Sequence, residues 1–410
     1  MTDPIKKPEV LAPVGDSERL EAAIRYGADA VYLGGKQFGM RANPANFDQD
    51  ELRDGVALAH KHGVKVYLTC NTLPLNREIP ELPDFLRYAR DVGVDALIVA
   101  DVGVLMEAKR TVPEVDIHIS TQAGVVNYLT ATELYHLGAK RVVLARELSI
   151  EDVKYIRDHT PPELEIEAFV HGAMCMSFSG RCLLSNYMTG RDANRGECAQ
   201  PCRWSYYLME EKRPGEYFPV FEDGRGSYIL NAKDLCMIEH IKELVDAGVS
   251  SLKIEGRAKS AYYVGVITNA YRAAVDLYAQ NPGEFQLPQW IADETRKVSH
   301  REYSTGFYFG RPDQCYKSGG YVRECDIVAN VDSWEEGLLT LTQRNYFKPG
   351  DRVEVLEPKS QPVELTVKKI LSLEGEELDA ARHPMQKVRI PCSRAFAPGS
   401  IVRKDKEESR

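Results

Sequence analysis

Along the first three-quarters of the chain one pattern recurs: a stretch of helical period, a glycine, then a short run of apolar residues. The clearest copies are Gly27-Ala-Asp-Ala-Val-Tyr-Leu-Gly-Gly35, Gly93-Val-Asp-Ala-Leu-Ile-Val-Ala-Asp101, Gly138-Ala-Lys-Arg-Val-Val-Leu-Ala-Arg146 and Gly248-Val-Ser-Ser-Leu-Lys-Ile-Glu-Gly256, with His62-Gly-Val-Lys-Val-Tyr-Leu-Thr-Cys70 as a fifth. Glycine directly after a helix takes the left-handed conformation that ends it. An apolar run without alternation suits a strand buried on both faces. Helix starts are marked by Asp16-Ser-Glu-Arg, by Asp48-Gln-Asp-Glu and by Ser149-Ile-Glu-Asp152, the last with the spacing of a capping box.

The runs predict strands near 9–13, 30–34, 65–70, 96–100, 116–120, 141–145, 165–170 and 252–256. Strand–helix alternation repeated over eight strands predicts a (β/α)8 TIM-like barrel, with a doubly wound open sheet as the competing architecture. The interval between the last two strands is too long for an ordinary connection, so residues from about 171 to 230 are read as an insertion at the C-terminal rim. Barrel enzymes place their active sites at that rim. The barrel is expected to span 1–283 and a linker with a short helix 284–305. Period-two runs such as Ile327-Val-Ala-Asn-Val and Asp351-Arg-Val-Glu-Val-Leu then predict a small antiparallel β-barrel domain over 306–410.

The 410 residues are 43% hydrophobic and 28% charged, the balance of a soluble globular protein. No apolar run is long enough to cross a bilayer and the start lacks an apolar signal core, so a cytoplasmic location without membrane contact is expected. In a reducing compartment the nine cysteines are read as ligands, catalysts or buried small hydrophobes rather than disulfides. A net charge of −9 gives no global support for nucleic-acid binding, so an RNA partner needs a local basic patch.

The insertion changes the picture. It carries Cys175, Cys182, Cys198 and Cys202, and Cys236 follows in Asn231-Ala-Lys-Asp-Leu-Cys. Only Cys198 and Cys202 have the close spacing of structural zinc sites. Widely spaced thiolates drawn from rim loops suit an iron–sulfur cluster, while zinc and buried unliganded thiols stay as alternatives. The expected ligands are Cys175, Cys182, Cys198 and Cys236, with Cys202 as substitute.

The stretch Glu167-x-Phe-x2-Gly-Ala-Met-Cys-x4-Gly-x-Cys-x2-Ser185 resembles the signature of the collagenase-like U-32 peptidase family, and Ser120-Thr-Gln122, Arg146-Glu-Leu148, Asn194-Arg-Gly196 and Lys253-Ile-Glu-Gly-Arg257 look like further motifs of it. The resemblance covers essentially the whole chain. Length and the C-terminal β-domain are most similar to the tRNA-hydroxylating branch, related to ubiquinone-pathway hydroxylases that carry a four-iron cluster. It implies a 4Fe-4S cluster, oxygen-independent hydroxylation of the wobble uridine of tRNA to 5-hydroxyuridine, prephenate as the small dicarboxylate co-substrate, and an oligomer with itself or a paralogue. The peptidase named in the family title and a non-catalytic RNA- or partner-binding protein with a structural cluster are the alternatives; neither a His-Glu-x-x-His nor a Gly-x-Ser-x-Gly motif is present.

Strand ends carry further candidates. A dicarboxylate calls for cations, met by Arg41, Arg146, Lys253 and Arg257 with Asn71 and Gln122 beside them. Arg146 has a second reading, as a structural ion pair with Glu147 or Glu255. Glu255, His171 and Asp101 are the candidates for proton transfer, with a structural His171 as the plainer alternative. Arg181, Arg191, Arg195 and Arg203, with Tyr187 and Trp204 among them, are the candidate RNA contacts, although the same arginines suit neutralisation of a thiolate cluster.

Overall fold

The computed structural model describes residues 7–39, 46–175, 177–178, 181–204, 207–208, 215, 218–219, 232–310, 312 and 321–406. Strands β1 (Glu9–Pro13), β2 (Ala30–Gly34), β3 (Lys65–Cys70), β4 (Ala96–Val99), β5 (Asp116–Ile119), β6 (Arg141–Val143) and β7 (Glu165–Ala173) pair in parallel with their neighbours. Helices α1 (Ser17–Arg25), α2 (Gln49–Lys61), α3 (Leu82–Asp91), α4 (Val102–Thr111), α5 (Tyr128–His136) and α6 (Ile150–Asp158) alternate with them. The eighth barrel strand is β11 (Ser251–Ile254), which pairs in parallel with β7 on one side and β1 on the other. That double pairing closes the ring and excludes the open doubly wound sheet.

The local signals act as expected. Asp48 and Ser149 form reciprocal capping boxes with Glu51 and Asp152, and Asp16 caps α1. Gly27, Gly63, Gly93, Gly138 and Gly248 all have positive φ just past a helix, the conformation that lets the chain turn into the next strand.

Alternate strand residues divide the core. Val10, Ala12, Val31, Leu33, Val66 and Leu68 belong to the large core that includes the helices. Leu11, Ala30, Tyr32, Tyr67, Ala96 and Ile98 form a separate small cluster. Beside it lies a charged layer. Arg141 contacts Glu9 at 2.7 Å, Glu165 at 2.6 Å and Glu167 at 3.1 Å, while Lys253 donates to Glu167 at 2.6 Å.

Between β7 and β11 the chain forms α7 (Leu184–Thr189), the two-residue strands β8 (Tyr207–Leu208) and β9 (Phe218–Pro219), β10 (Asp234–Cys236) and α8 (Ile241–Asp246). β10 runs antiparallel to the far end of β7, pairing Cys236 with His171. The twenty-residue α9 (Ala261–Gln280) and α10 (Gln289–Arg296) follow, and β12 (Tyr303–Ser304) joins β10. Strands β13 (Cys325–Glu335), β14 (Leu338–Gln343), β15 (Arg352–Leu356), β16 (Val363–Thr366), β17 (Ile370–Leu371), β18 (Glu377–Leu378), β19 (Lys387–Pro391) and β20 (Ile401–Asp405) form a second, antiparallel sheet with its own core. Its ladder runs from β16 to β18 without closing. Arg403, fully buried, ties it to the barrel side through Glu294 of α10. No described helix is long and apolar enough to cross a membrane.

One glycine locks the barrel mouth. Gly172 has φ +104°, and a Cβ there falls 2.4 Å from the carbonyl oxygen of Glu255. Gly172→Ala is therefore expected to lose at least about 1–2 kcal/mol of stability from the left-handed backbone alone. Gly283→Ala, whose Cβ meets nothing within 4 Å, serves as the control. Urea unfolding of both variants checks this; equal midpoints would refute the lock.

Candidate active site

The C-terminal ends of the barrel strands open into a cavity of about 1060 Å³. That is at the upper end of the range for small-molecule sites, roughly 300–1,000 Å³. Tyr32, Thr69, Asn71, Gln122, Phe169 and Lys253 line it, and the cysteine-rich insertion and the edge of the β-domain form its outer walls.

Cys175, Cys182, Cys198 and Cys202 all line this cavity. Cys175 is influenced by two of them: ionised Cys182 and Cys198 both oppose its ionisation. Burial is the largest influence on Cys175, and it pushes the thiol up. Burial also works against ionisation of Cys182, but hydrogen bonds from Ser177 and from the backbone of Ser185 and Leu184 outweigh it and hold that thiol below its ordinary value. The backbone N–H of Gln200 donates to Cys198 Sγ at 3.4 Å.

Soft sulfurs facing one space, with N–H groups aimed at them, are the donor set of a thiolate-held iron–sulfur centre. Among the described residues no three His, Cys, Asp or Glu side chains converge closely enough to enclose a single metal ion. The corners of a four-iron cubane stand farther apart than the ligands of one ion. Cys236 is placed elsewhere. It lies on β10 beside Thr295 and Tyr271, outside the cavity lining, and burial pushes its thiol up to about 11.

The cations are anchored. Arg146 Nη1 donates to the carbonyl of Ala173 at 2.9 Å, its Nη2 meets Glu255 at 3.3 Å, and its guanidinium lies 3.7 Å from the ring centroid of Phe169. The ion pair foreseen for Arg146 thus forms with Glu255, inside the cavity. Lys253 sits between Glu167 and the ring of Tyr32, 4.3 Å from its centroid. Arg257 is buried across Gly34, where a Cβ would come within 2.2 Å of it, and donates to Asn46 at 2.8 Å. Gln122 Oε1, an acceptor, and Arg146 Nε, a donor, are buried in the cavity wall and have no hydrogen-bond partner among the described residues. Buried polar atoms are seldom left so, and a ligand or water entering the cavity would satisfy them.

Glu255 follows β11 and points into the cavity. Its backbone is held from two sides, by its N–H to His171 O at 2.8 Å and by Tyr263 Oη donating to its carbonyl at 3.0 Å.

Two expected catalytic residues are not in the cavity. Asp101 caps α4, accepting from Val104 N at 3.1 Å, and does not line the cavity. His171 is buried among Tyr263, Tyr271, Tyr303 and His300, and burial lowers its pKa to about 3. The ladder between β7 and β11 slips at Lys253/Ile254, so the alternation that turns Glu167 and Phe169 inward does not carry through to His171. The imidazole is enclosed by these rings and does not line the cavity.

The arginines of the insertion also separate. Arg181 Nε donates to the carbonyl of Gln122 at 2.9 Å and pins the insertion to the barrel. Arg195 is engaged with Glu78 at 2.5 Å, while Arg191 is exposed. Trp204 is exposed beside them. Arg41 and the side chain of Arg203 lie outside the described residues. Phe169 and Tyr263 were not singled out from the sequence, although the inward phase of Glu167 was a signal for Phe169.

Comparison with known proteins adds the following. Residues 15–318 match the description Peptidase family U32, and residues 323–403 its C-terminal domain. A tRNA hydroxylation protein of Bacillus subtilis is 38% identical over 406 residues, covering 98% of this chain and 96% of its own. An uncharacterized protease of Methanocaldococcus jannaschii is 45% identical over 304 residues, 73% of either chain. A 23S rRNA 5-hydroxycytidine synthase of Escherichia coli is 36% identical over 300 residues, covering 72% of this chain and 44% of the synthase.

Proposed function

From the premise that the chain belongs to peptidase family U32, we infer that it is an RNA hydroxylase whose site is the cysteine-walled barrel mouth. The finer reading is hydroxylation of the wobble uridine of tRNA at carbon 5, with prephenate rather than oxygen supplying the hydroxyl group. The observation that carries the reading is the joint lining of one cavity by Cys175, Cys182, Cys198, Arg146, Gln122 and Glu255. Gln122 Oε1 suits an imide N–H of the kind a uracil ring presents, and Arg146 Nε suits a carboxylate oxygen. Arg257 brings a cation to the cavity wall for a dicarboxylate, while the charge of Lys253 is matched by Glu167. Glu255 holds or moves the proton at its carboxylate.

The cysteines fit an iron–sulfur cluster, which when bound supplies electron transfer or an electrophilic iron. Cys175, Cys182 and Cys198 would hold three of its corners. The fourth falls to Cys202, which shares their cavity, or to Cys236, the fourth ligand expected from the sequence, which lies outside it. Iron bound per chain in Cys202→Ser and Cys236→Ser, purified without oxygen, separates the two: the ligand variant loses iron and the other keeps it.

Nucleoside mass spectrometry of tRNA from cells with and without the protein tests the whole reading. A hydroxylated uridine is expected only with the protein present, and Cys182→Ala should abolish it. Identical nucleoside profiles would overturn the assignment. The peptidase in the family title needs a nucleophile with a base. Cys175 lines the cavity, whereas His171, the nearest candidate in sequence, is enclosed by tyrosines.

A further inference from the structure

Arg257 follows β11, yet its guanidinium sits at the ends of two other strands. Its Nη2 donates to Asn46 Oδ1 at 2.8 Å, and its Nη1 stands 3.5 Å from Thr69 Oγ1. Gly34 is the last residue of β2 and pairs with Thr69 of β3. To reach them the side chain passes the end of β1, which lies between β11 and β2. Two glycines leave it room. A Cβ at Gly15 falls 2.5 Å from the Arg257 carbonyl oxygen, and one at Gly34 falls 2.2 Å from Nη2, 2.9 Å from Cζ and 3.1 Å from Nη1. The three atoms nearest to a side chain at 34 all belong to that guanidinium, so any side chain there takes its place.

The backbone does not ask for glycine at 34. Its φ is not in the left-handed region, and a glycine inside a strand weakens it unless something approaches closely. The guanidinium is what approaches. Arg257 is buried, at 4% exposure, and lines the cavity together with Thr69. Its planar fork suits a carboxylate. The place of that fork in the ring matters as well. The barrel closes in the order β11, β1, β2 through β7 and back to β11, so β2 and β3 stand opposite β6 and β7. Arg146 follows β6 and Cys175 follows β7. The guanidinium of Arg257 and the start of the cysteine wall therefore face each other across the mouth.

We propose that Gly34 is a positioning residue for the co-substrate: having no side chain, it seats the Arg257 guanidinium at the β2–β3 side of the mouth, where it binds the carboxylate end of a small acid and leaves the other end directed toward the cysteine wall. This rests on the RNA-hydroxylase reading and adds to it the orientation of the acid. Gly34 touches the acid only through Arg257.

The test is calorimetric titration of prephenate into the full chain, iron-loaded and prepared without oxygen, with hydroxylation of tRNA followed in parallel. Gly34→Ala is expected to weaken prephenate binding by about tenfold to a hundredfold, the worth of a hydrogen bond to a charged group. Affinity for tRNA and iron content should stay as in the wild type. The new methyl group meets only the movable end of a side chain, on ordinary strand backbone, so the melting temperature should stay as well. Arg257→Ala is expected to lose as much, and adding Gly34→Ala to it should cost nothing further, because the group it displaces is gone. That non-additivity is what a merely structural glycine does not give. Wild-type prephenate affinity in Gly34→Ala, or losses that add in the double variant, overturns the seat alone and leaves the hydroxylase reading standing. A wild type that hydroxylates tRNA without binding prephenate overturns the carboxylate anchor. A wild type that neither binds prephenate nor modifies tRNA removes the functional reading itself.

Discussion

Arg141→Met is expected to lower the stability of the protein by about 3–5 kcal/mol, the usual cost of removing one partner from a buried ionic group. Arg141 is buried and serves three carboxylates, Glu9, Glu165 and Glu167, of which Glu167 is wholly inaccessible. Lys253 is the one other cation bonded to them among the described residues. Without Arg141, a single ammonium faces three carboxylates, of which Glu167 is wholly buried. Glu165→Gln is the contrast: its side chain is the most exposed of the three, and its loss should cost less than about 1 kcal/mol. Urea is the denaturant to use, because guanidinium would screen the effect.

The same group predicts an acid response. Burial works to raise the pKa of Glu9, but Arg141's charge, with hydrogen bonds from Arg141, Tyr67 and Ser251, outweighs it and leaves the value below the ordinary 4.5. A depressed carboxylate contributes stability that is present above 4.5 and is lost as pH falls through the folded value. Stability of the wild type should therefore fall faster below pH 4.5 than that of Arg141→Met. Parallel pH profiles, or an Arg141→Met midpoint within about 1 kcal/mol of wild type, would contradict a buried ionic core.

Much of this barrel is legible because its signals are local. Glycine after a helix and an unalternated apolar run fix where each strand begins, and the eight expected strands match those found to within a few residues. The cavity position of Cys175, Cys182 and Cys198 followed from a long insertion at the rim, since the loops there have one mouth to face. What failed was phase. Asp101 and His171 stand at strand ends in sequence, but the side on which a residue emerges depends on counting from an inward neighbour. Asp101 lies two residues beyond the end of β4 and its carboxylate is taken up as the N-cap of α4, so it does not line the cavity. For His171 the count itself breaks, because the register slip between β7 and β11 is set by pairing across strands distant in sequence. Cys236 was drawn to the other cysteines by composition, and its pairing with His171 at the far end of β7 sets it apart from them.

Glu255→Gln is expected to reduce hydroxylated product formation by about 10²–10⁴-fold, the range lost when a positioned general acid or base is removed. Of the three proton-transfer candidates, Glu255 is the one that lines the cavity. Arg146 holds it at 3.3 Å, and Phe169 beneath the guanidinium holds Arg146 in turn. Gly172 and Tyr263 fix its backbone, so the carboxylate has little freedom to drift when the ligand arrives. Glutamine keeps the size and the contact to Arg146 but cannot take up the proton. The fall should therefore appear in turnover at saturating RNA, with iron content and RNA affinity unchanged, and with one limb missing from the pH profile. Asp101→Asn is the comparison, because asparagine still caps a helix and the residue is out of reach of the cavity. A Glu255→Gln enzyme with wild-type turnover and an unaltered pH profile would show that the proton moves elsewhere; a loss in Asp101→Asn as large as that in Glu255→Gln would show that helix α4, not the β11 carboxylate, governs the chemistry.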